Sequence, residues 1–117
     1  MKFLLLINGD ESRFNSEPEP ANVPISPEWV AYTEAMKKAG IWLGGDRLKP
    51  TKHGARVRVR EGKSVVLDGP YVDAKEQLGG YYMIDVPTLD EAVQWAVRCP
   101  ASKVGTVDVR PLADVSR

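Results

Sequence analysis

Five consecutive apolar residues, Phe3-Leu4-Leu5-Leu6-Ile7, stop abruptly at the turn formers Asn8-Gly9-Asp10-Glu11. The run is too short for a lone helix and reads as a strand over residues 2–8 buried on both faces. Alternation puts Phe3, Leu5 and Ile7 on one side and Leu4 and Leu6 on the other. Helices cover only one face of the sheet in a two-layer domain, so the second face needs another cover. A second copy of the chain is the economical one, which predicts a homodimer.

A chain of 117 residues with 43% hydrophobic content suits a single domain, 1–117, with one core. Lys+Arg 16 balances Asp+Glu 16, so no net field recruits nucleic acid or an anionic membrane surface. The single cysteine, Cys99, excludes an internal disulfide and a multi-cysteine metal site, and reads as a small apolar filler in a reducing compartment. The opening apolar run is shorter than a signal-peptide core and no stretch is long enough to span a bilayer, so the expected location is the cytoplasm.

Residues 9–25, with Pro18, Pro20 and Pro24, read as a loop. Ser26 suits an N-cap, Pro27 the first helical position and Gly40 the residue after the C-cap, giving a helix over 27–39. Trp29, Tyr32, Met36 and Ala39 then share its apolar face. Ile41-Trp42-Leu43 is extended, and Gly44-Gly45-Asp46-Arg47 interrupts it as a bulge or pocket rim. Ala55, Val57 and Val59 alternate with Arg56, Arg58 and Arg60, the pattern of a half-buried strand with a basic outer face, which could bind an anion but is more plainly a solvated face partly neutralised by cross-strand carboxylates. Glu61-Gly62-Lys63 carries turn chemistry, and Ser64-Val65-Val66-Leu67 returns as the second arm of a hairpin.

Strand 81–86 places Tyr82, Ile84 and Val86 on one face and Tyr81, Met83 and Asp85 on the other. Thr88 and Glu91 form a capping box for a helix ending near Arg98, with Leu89, Ala92, Val93, Ala96 and Val97 as its apolar face and Trp95 flanking it. Pro100 ends that helix, and Thr106–Arg110 is a closing strand. This order predicts an α+β, ferredoxin-like split βαβ plan: two helices on one face of an antiparallel sheet, with an inserted β-hairpin.

The densest chemistry runs from Asp68-Gly69-Pro70-Tyr71 through Lys75-Glu76-Gln77-Leu78-Gly79-Gly80-Tyr81. Gly69-Pro70 forces a turn that would hold the Asp68 carboxylate in place, and Gly79-Gly80 permits a close approach to another backbone or a ligand. These residues form a candidate cleft. Asp68 is the candidate proton or hydrogen-bond acceptor, Lys75 and Glu76 would orient a polar ligand, and Tyr71 and Tyr81 would supply apolar wall and hydroxyl. Asp46 and His53 are further candidates, since an imidazole near Asp46 or Asp68 could transfer protons. Simple surface ion pairing is the plainer account of Lys75 and Glu76. No Gly-rich phosphate loop, serine elbow or zinc-ligand spacing occurs, so neither a cofactor nor a metal is expected.

The Asp68-Gly69-Pro70-Tyr71 run followed by Lys75–Tyr81, the helix ending Ala39-Gly40, the Asp90-Glu91-Ala92 and Trp95-Ala96 pairs and the closing Val109-Arg110-Pro111 together resemble the DGPF-type branch of the YCII-related family. That resemblance implies a dimeric α+β barrel of ferredoxin-like protomers and small bacterial proteins of unassigned function, some associated with sigma-factor genes. Tyr71 stands where the motif has Phe, and Val72-Asp73-Ala74 replaces the usual Ala, Glu and hydroxyl residue. The His–Asp pair proposed as catalytic in other members has no histidine to occupy it in helix 27–39. Two functions remain open: a small-molecule cleft, catalytic or not, and a non-catalytic module working beside a regulatory protein.

Overall fold

A computed structural model describes residues 1–13, 25–69 and 75–115. The elements are β1 (Lys2–Gly9), α1 (Pro27–Lys38), β2 (Trp42–Arg47), β3 (Ala55–Arg60), β4 (Lys63–Asp68), β5 (Gln77–Asp85), α2 (Leu89–Arg98) and β6 (Thr106–Pro111). Four of the strands form an antiparallel sheet in the order β2-β5-β1-β6, while β3 and β4 pair as a separate hairpin. With α1 joining β1 to β2 and α2 joining β5 to β6, this is the ferredoxin-like α+β plan the sequence predicted. No helix among the described residues is long and apolar enough to cross a membrane.

Alternation along β1 divides the molecule as expected. Phe3 and Leu5 are fully buried beneath the helices, and the residues paired with them on β5 are Ile84 and Tyr82. Met36, Ile84 and Cys99 are also fully enclosed, so Cys99 is the apolar filler its solitary occurrence suggested. Tyr32 sits among Trp29, Tyr82 and Trp95, with ring centroids 6.3, 5.7 and 6.3 Å away. Its phenol would be costly to bury unpaired, and it donates to the Trp95 carbonyl at 2.7 Å.

Both helices begin where their caps predicted. The Ser26 hydroxyl accepts from the Trp29 amide ahead of Pro27, and the Thr88 hydroxyl accepts from the Glu91 amide at 3.2 Å. Ala39, expected on the buried face of α1, is exposed because it is the C-cap, past the last helical turn. The buried stripe of α2 is narrower than predicted. Ala92 and Ala96 face the sheet, whereas Leu89, Val93 and Val97 follow one another at four-residue spacing along an exposed flank. The small alanines set the line of contact, and the larger side chains lie beside it.

Two further departures concern the strands. β5 begins at Gln77, so residues 77–80, which Gly79-Gly80 made look like loop, continue the sheet. A Cβ on Gly80 would come within 2.9 Å of the Asp46 carbonyl, which explains the glycine as close backbone approach within a strand. The expected break at Gly44 is a register shift of β2 against β5 between Trp42 and Gly44. In the hairpin, Glu61 and Gly62 both take positive φ, as a two-residue hairpin turn requires. However, Val57 and Val59 are exposed rather than half-buried, and the residues opposite Arg56, Arg58 and Arg60 are Leu67, Val65 and Lys63 rather than carboxylates. The loop expected at 9–25 opens with a short 3-10 turn, Glu11–Arg13, and residues 14–24 lie outside the described residues.

Two outcomes test this packing. Tyr32→Phe should destabilise the protein by about 1 kcal/mol, lowering Tm by about 4 °C, through loss of the bond to the Trp95 carbonyl. Burial also pushes the Tyr32 phenol above its ordinary value of 10.0. A group whose folded pKa is raised contributes stability that is intact below the unfolded pKa and is lost as pH rises through the folded one. Melting curves should therefore fall above about pH 10, and more shallowly for Tyr32→Phe than for the parent.

Candidate functional site

Beyond the end of β1, Glu11 turns back toward the sheet. Its amide donates to the Gln77 side-chain carbonyl at 3.0 Å, and its carboxylate accepts from the Thr51 amide at 3.1 Å and from the Thr51 hydroxyl. Thr51 is buried, and these bonds compensate its polar atoms. The segment carrying it, residues 48–54, is pinned twice more, by the Leu48 amide on the Gly79 carbonyl and the Gly69 amide on the Gly54 carbonyl, both at 2.8 Å. A Cβ on Gly69 would overlap the Thr51 carbonyl, so the turn after β4 can seat there only with glycine at this position.

The segment borders an open concavity of about 440 Å³ lined by Leu48, Lys49, Pro50, Thr51, His53 and Leu78. Three of these side chains are apolar. Lys49 and His53 bring the polar chemistry, and Thr51 anchors the wall to Glu11.

The sheet face turned away from the helices carries a different array. Leu4 and Leu6 are half-buried, paired with Met83 and Tyr81 on β5 and with Arg110 and Asp108 on β6. Tyr81 donates its phenol proton to Asp46 at 3.0 Å across the β2–β5 pair. Asn8 donates to Asp108 at 3.0 Å, and Thr106 to Glu76 at 2.7 Å. The bond to Asp46, and the negative charge behind it, raise the pKa of Tyr81.

The sequence candidates thus fall into separate places. Asp46 and Tyr81 are brought into direct contact, and Glu76 joins the same face through Thr106. His53 lines the concavity, while Asp68 is exposed at the base of the hairpin, opposite Ala55. Lys75 is exposed, and Tyr71 lies outside the described residues. Among the described residues of the stretch 68–81, Leu78 is the one that borders the concavity. Glu11, Thr51 and Gln77 escaped notice because nothing in their local sequence announces a contact across 40 or 66 positions. A buried threonine has no periodic signature either.

The model of the YCII-related domain matches residues 1–116. The chain belongs to the YCII-related family. It is also 35% identical over 115 residues, 97% of this chain and 93% of the relative, to the uncharacterized protein R00369 of Rhizobium meliloti (strain 1021). The similarity of this YCII-related chain to that relative runs over most of both sequences, and the relative's name assigns no activity.

Removing the Asp46 charge should let Tyr81 titrate lower. In absorbance titrations, the phenol assigned by difference from Tyr81→Phe should shift toward its ordinary range in Asp46→Asn, while the other phenols stay in place. Asp68 gives a second outcome. Asp68→Asn and Asp68→Ala should both leave stability within about 0.5 kcal/mol of the parent in melting curves, because the Asp68 side chain is exposed at the base of the hairpin.

Proposed function

We propose that this protein, a DGPF-type member of its family, is a homodimer that binds a small polar organic molecule in the concavity beside residues 48–54. The observation that carries the reading is the lining itself: Leu48, Pro50 and Leu78 form an apolar wall, and Lys49 and His53 converge on it. Ligand sites combine a largely apolar surface with a few placed polar groups, in volumes of roughly 300–1,000 Å³. Lys49 and His53 suit a ligand bearing a carboxylate or phenolate oxygen, with His53 able to pass a proton to or from it. Glu11 supports this work indirectly, by holding Thr51 and the wall around it. The homodimer covers the half-buried Leu4 and Leu6 on the open sheet face.

A panel of small organic acids and their amides, read by thermal shift, tests the site. A ligand at one hundred times its Kd stabilises by about 2.7 kcal/mol. The shift should vanish in Leu78→Trp, which fills the concavity, and weaken in His53→Ala. A shift retained in full by Leu78→Trp would refute this location. Light scattering tests the assembly: the parent should give twice the 12.9 kDa chain mass, and Leu6→Asp should give monomer or aggregate, because a buried unpaired charge is costly. A parent mass of one chain would refute the dimer.

A further inference from the structure

The β3–β4 hairpin is an unusual structure to stand in water. Its strands pair with each other and pack substantially on no other strand or helix among the described residues. An isolated two-stranded ribbon is marginal in water. Yet both of its faces expose aliphatic side chains: Val57, Val59 and Val66 on one, Val65 and Leu67 on the other. The face with Val65 and Leu67 also carries Arg56, Arg58, Arg60 and Lys63, because each lies opposite or two residues from its neighbours there.

The open sheet face is a match of opposite sign. Leu4, Leu6 and Met83 form an apolar floor; Asp46 and Asp108 flank Tyr81 and Leu6 from the two edge strands, and Glu76 joins Thr106 in the half of the face where Asn8 stands. Each of these carboxylates accepts from a neutral donor in those contacts, which satisfies an oxygen without cancelling its charge. Of the cations of the same face, Arg110 stands one cross-strand row from Asp108, and Lys2 lies opposite Asp85 at the far end. We infer that the hairpin is an arm whose basic face lies on the open sheet of a second copy, aliphatic on aliphatic and arginine on carboxylate, reciprocally about a two-fold axis. Charge selects the basic face of the arm. The valine face would leave the sheet's carboxylates opposite no cation. The inference rests on the homodimer proposed above and adds the element that makes the contact.

A charge exchange tests it. Arg58→Glu/Arg60→Glu and Glu76→Lys/Asp108→Lys should each weaken the dimer roughly a hundredfold in sedimentation or light scattering, because like charges then face each other. An equimolar mixture should recover parental affinity, since a mixed dimer has complementary charges in both of its arm-to-sheet contacts. That recovery cannot come from variants that fail to fold. If the parent dimerises and Arg58→Glu/Arg60→Glu does so equally well, the arm inference falls while the dimer stands. The same follows if Val57→Lys/Val59→Lys abolishes the dimer and the arginine variants do not. A monomeric parent overturns both.

Discussion

The fold depends on one strand bonded along both edges. β1 runs between β5 and β6, so its backbone is satisfied on either side while its alternating side chains point to two environments. Phe3 and Leu5 anchor the covered side, where Met36 from α1 and Ile84 from β5 close over them. The register then transmits this decision outward. Because Leu5 faces Tyr82 and Leu6 faces Tyr81, the hydrophobic requirement on β1 fixes which tyrosine enters the aromatic cluster and which stays on the open face. A slip of one residue would exchange them and bury Met83 and Asp85 in place of Ile84.

The same register governs where the chain can come together at the end of the sheet. β5 pairs with β2 through Gly80, and the Leu48 amide bonds to the Gly79 carbonyl as the chain leaves β2. Those contacts start the 48–54 segment on the path that brings Thr51 under the Glu11 carboxylate and Gly69 onto Thr51. The concavity is thus bounded by consequences of strand pairing: the 48–54 segment supplies Leu48, Lys49, Pro50, Thr51 and His53, and β5 supplies Leu78. Such a wall is more fixed than a free loop, because each pinning bond lies at a different point along it.

Most of the main sheet was legible because it rests on short-range patterns. The apolar run of β1, the two helix caps and the period of Tyr81–Val86 each carry their own signal, and the structure follows them. What was illegible falls into two physical kinds. Alternation in β3 tells which residues share a face, but it cannot say whether anything in the same chain covers that face, and for Val57 and Val59 nothing among the described residues does. Contacts such as Glu11 with Thr51 join distant positions through backbone geometry that no local pattern encodes. The glycine pair is legible in part: Gly79-Gly80 signals a close backbone approach, and the missing Cβ of Gly80 does admit the Asp46 carbonyl, but nothing local says that the approach lies inside a strand.

Tyr81 and Tyr82 show how the alternation separates stability from chemistry within two adjacent residues of the same type. The Tyr82 ring packs at 5.2 to 6.0 Å from three aromatic neighbours, and its hydroxyl is paired with Thr33 at 3.1 Å. Burial raises its pKa, because a phenolate there would lose water, and the Thr33 hydroxyl and the Arg47 charge offset that loss only in part. Tyr81 is raised for a different reason, the proton it shares with Asp46. The two shifts therefore respond differently to their surroundings. Tyr82 would titrate lower only by opening the core, whereas a cation brought to Asp46 would relieve the charge opposing ionisation of Tyr81. The phenol on the open face is thus the one of the pair whose titration can report what arrives there, and the phenol in the core is its internal reference.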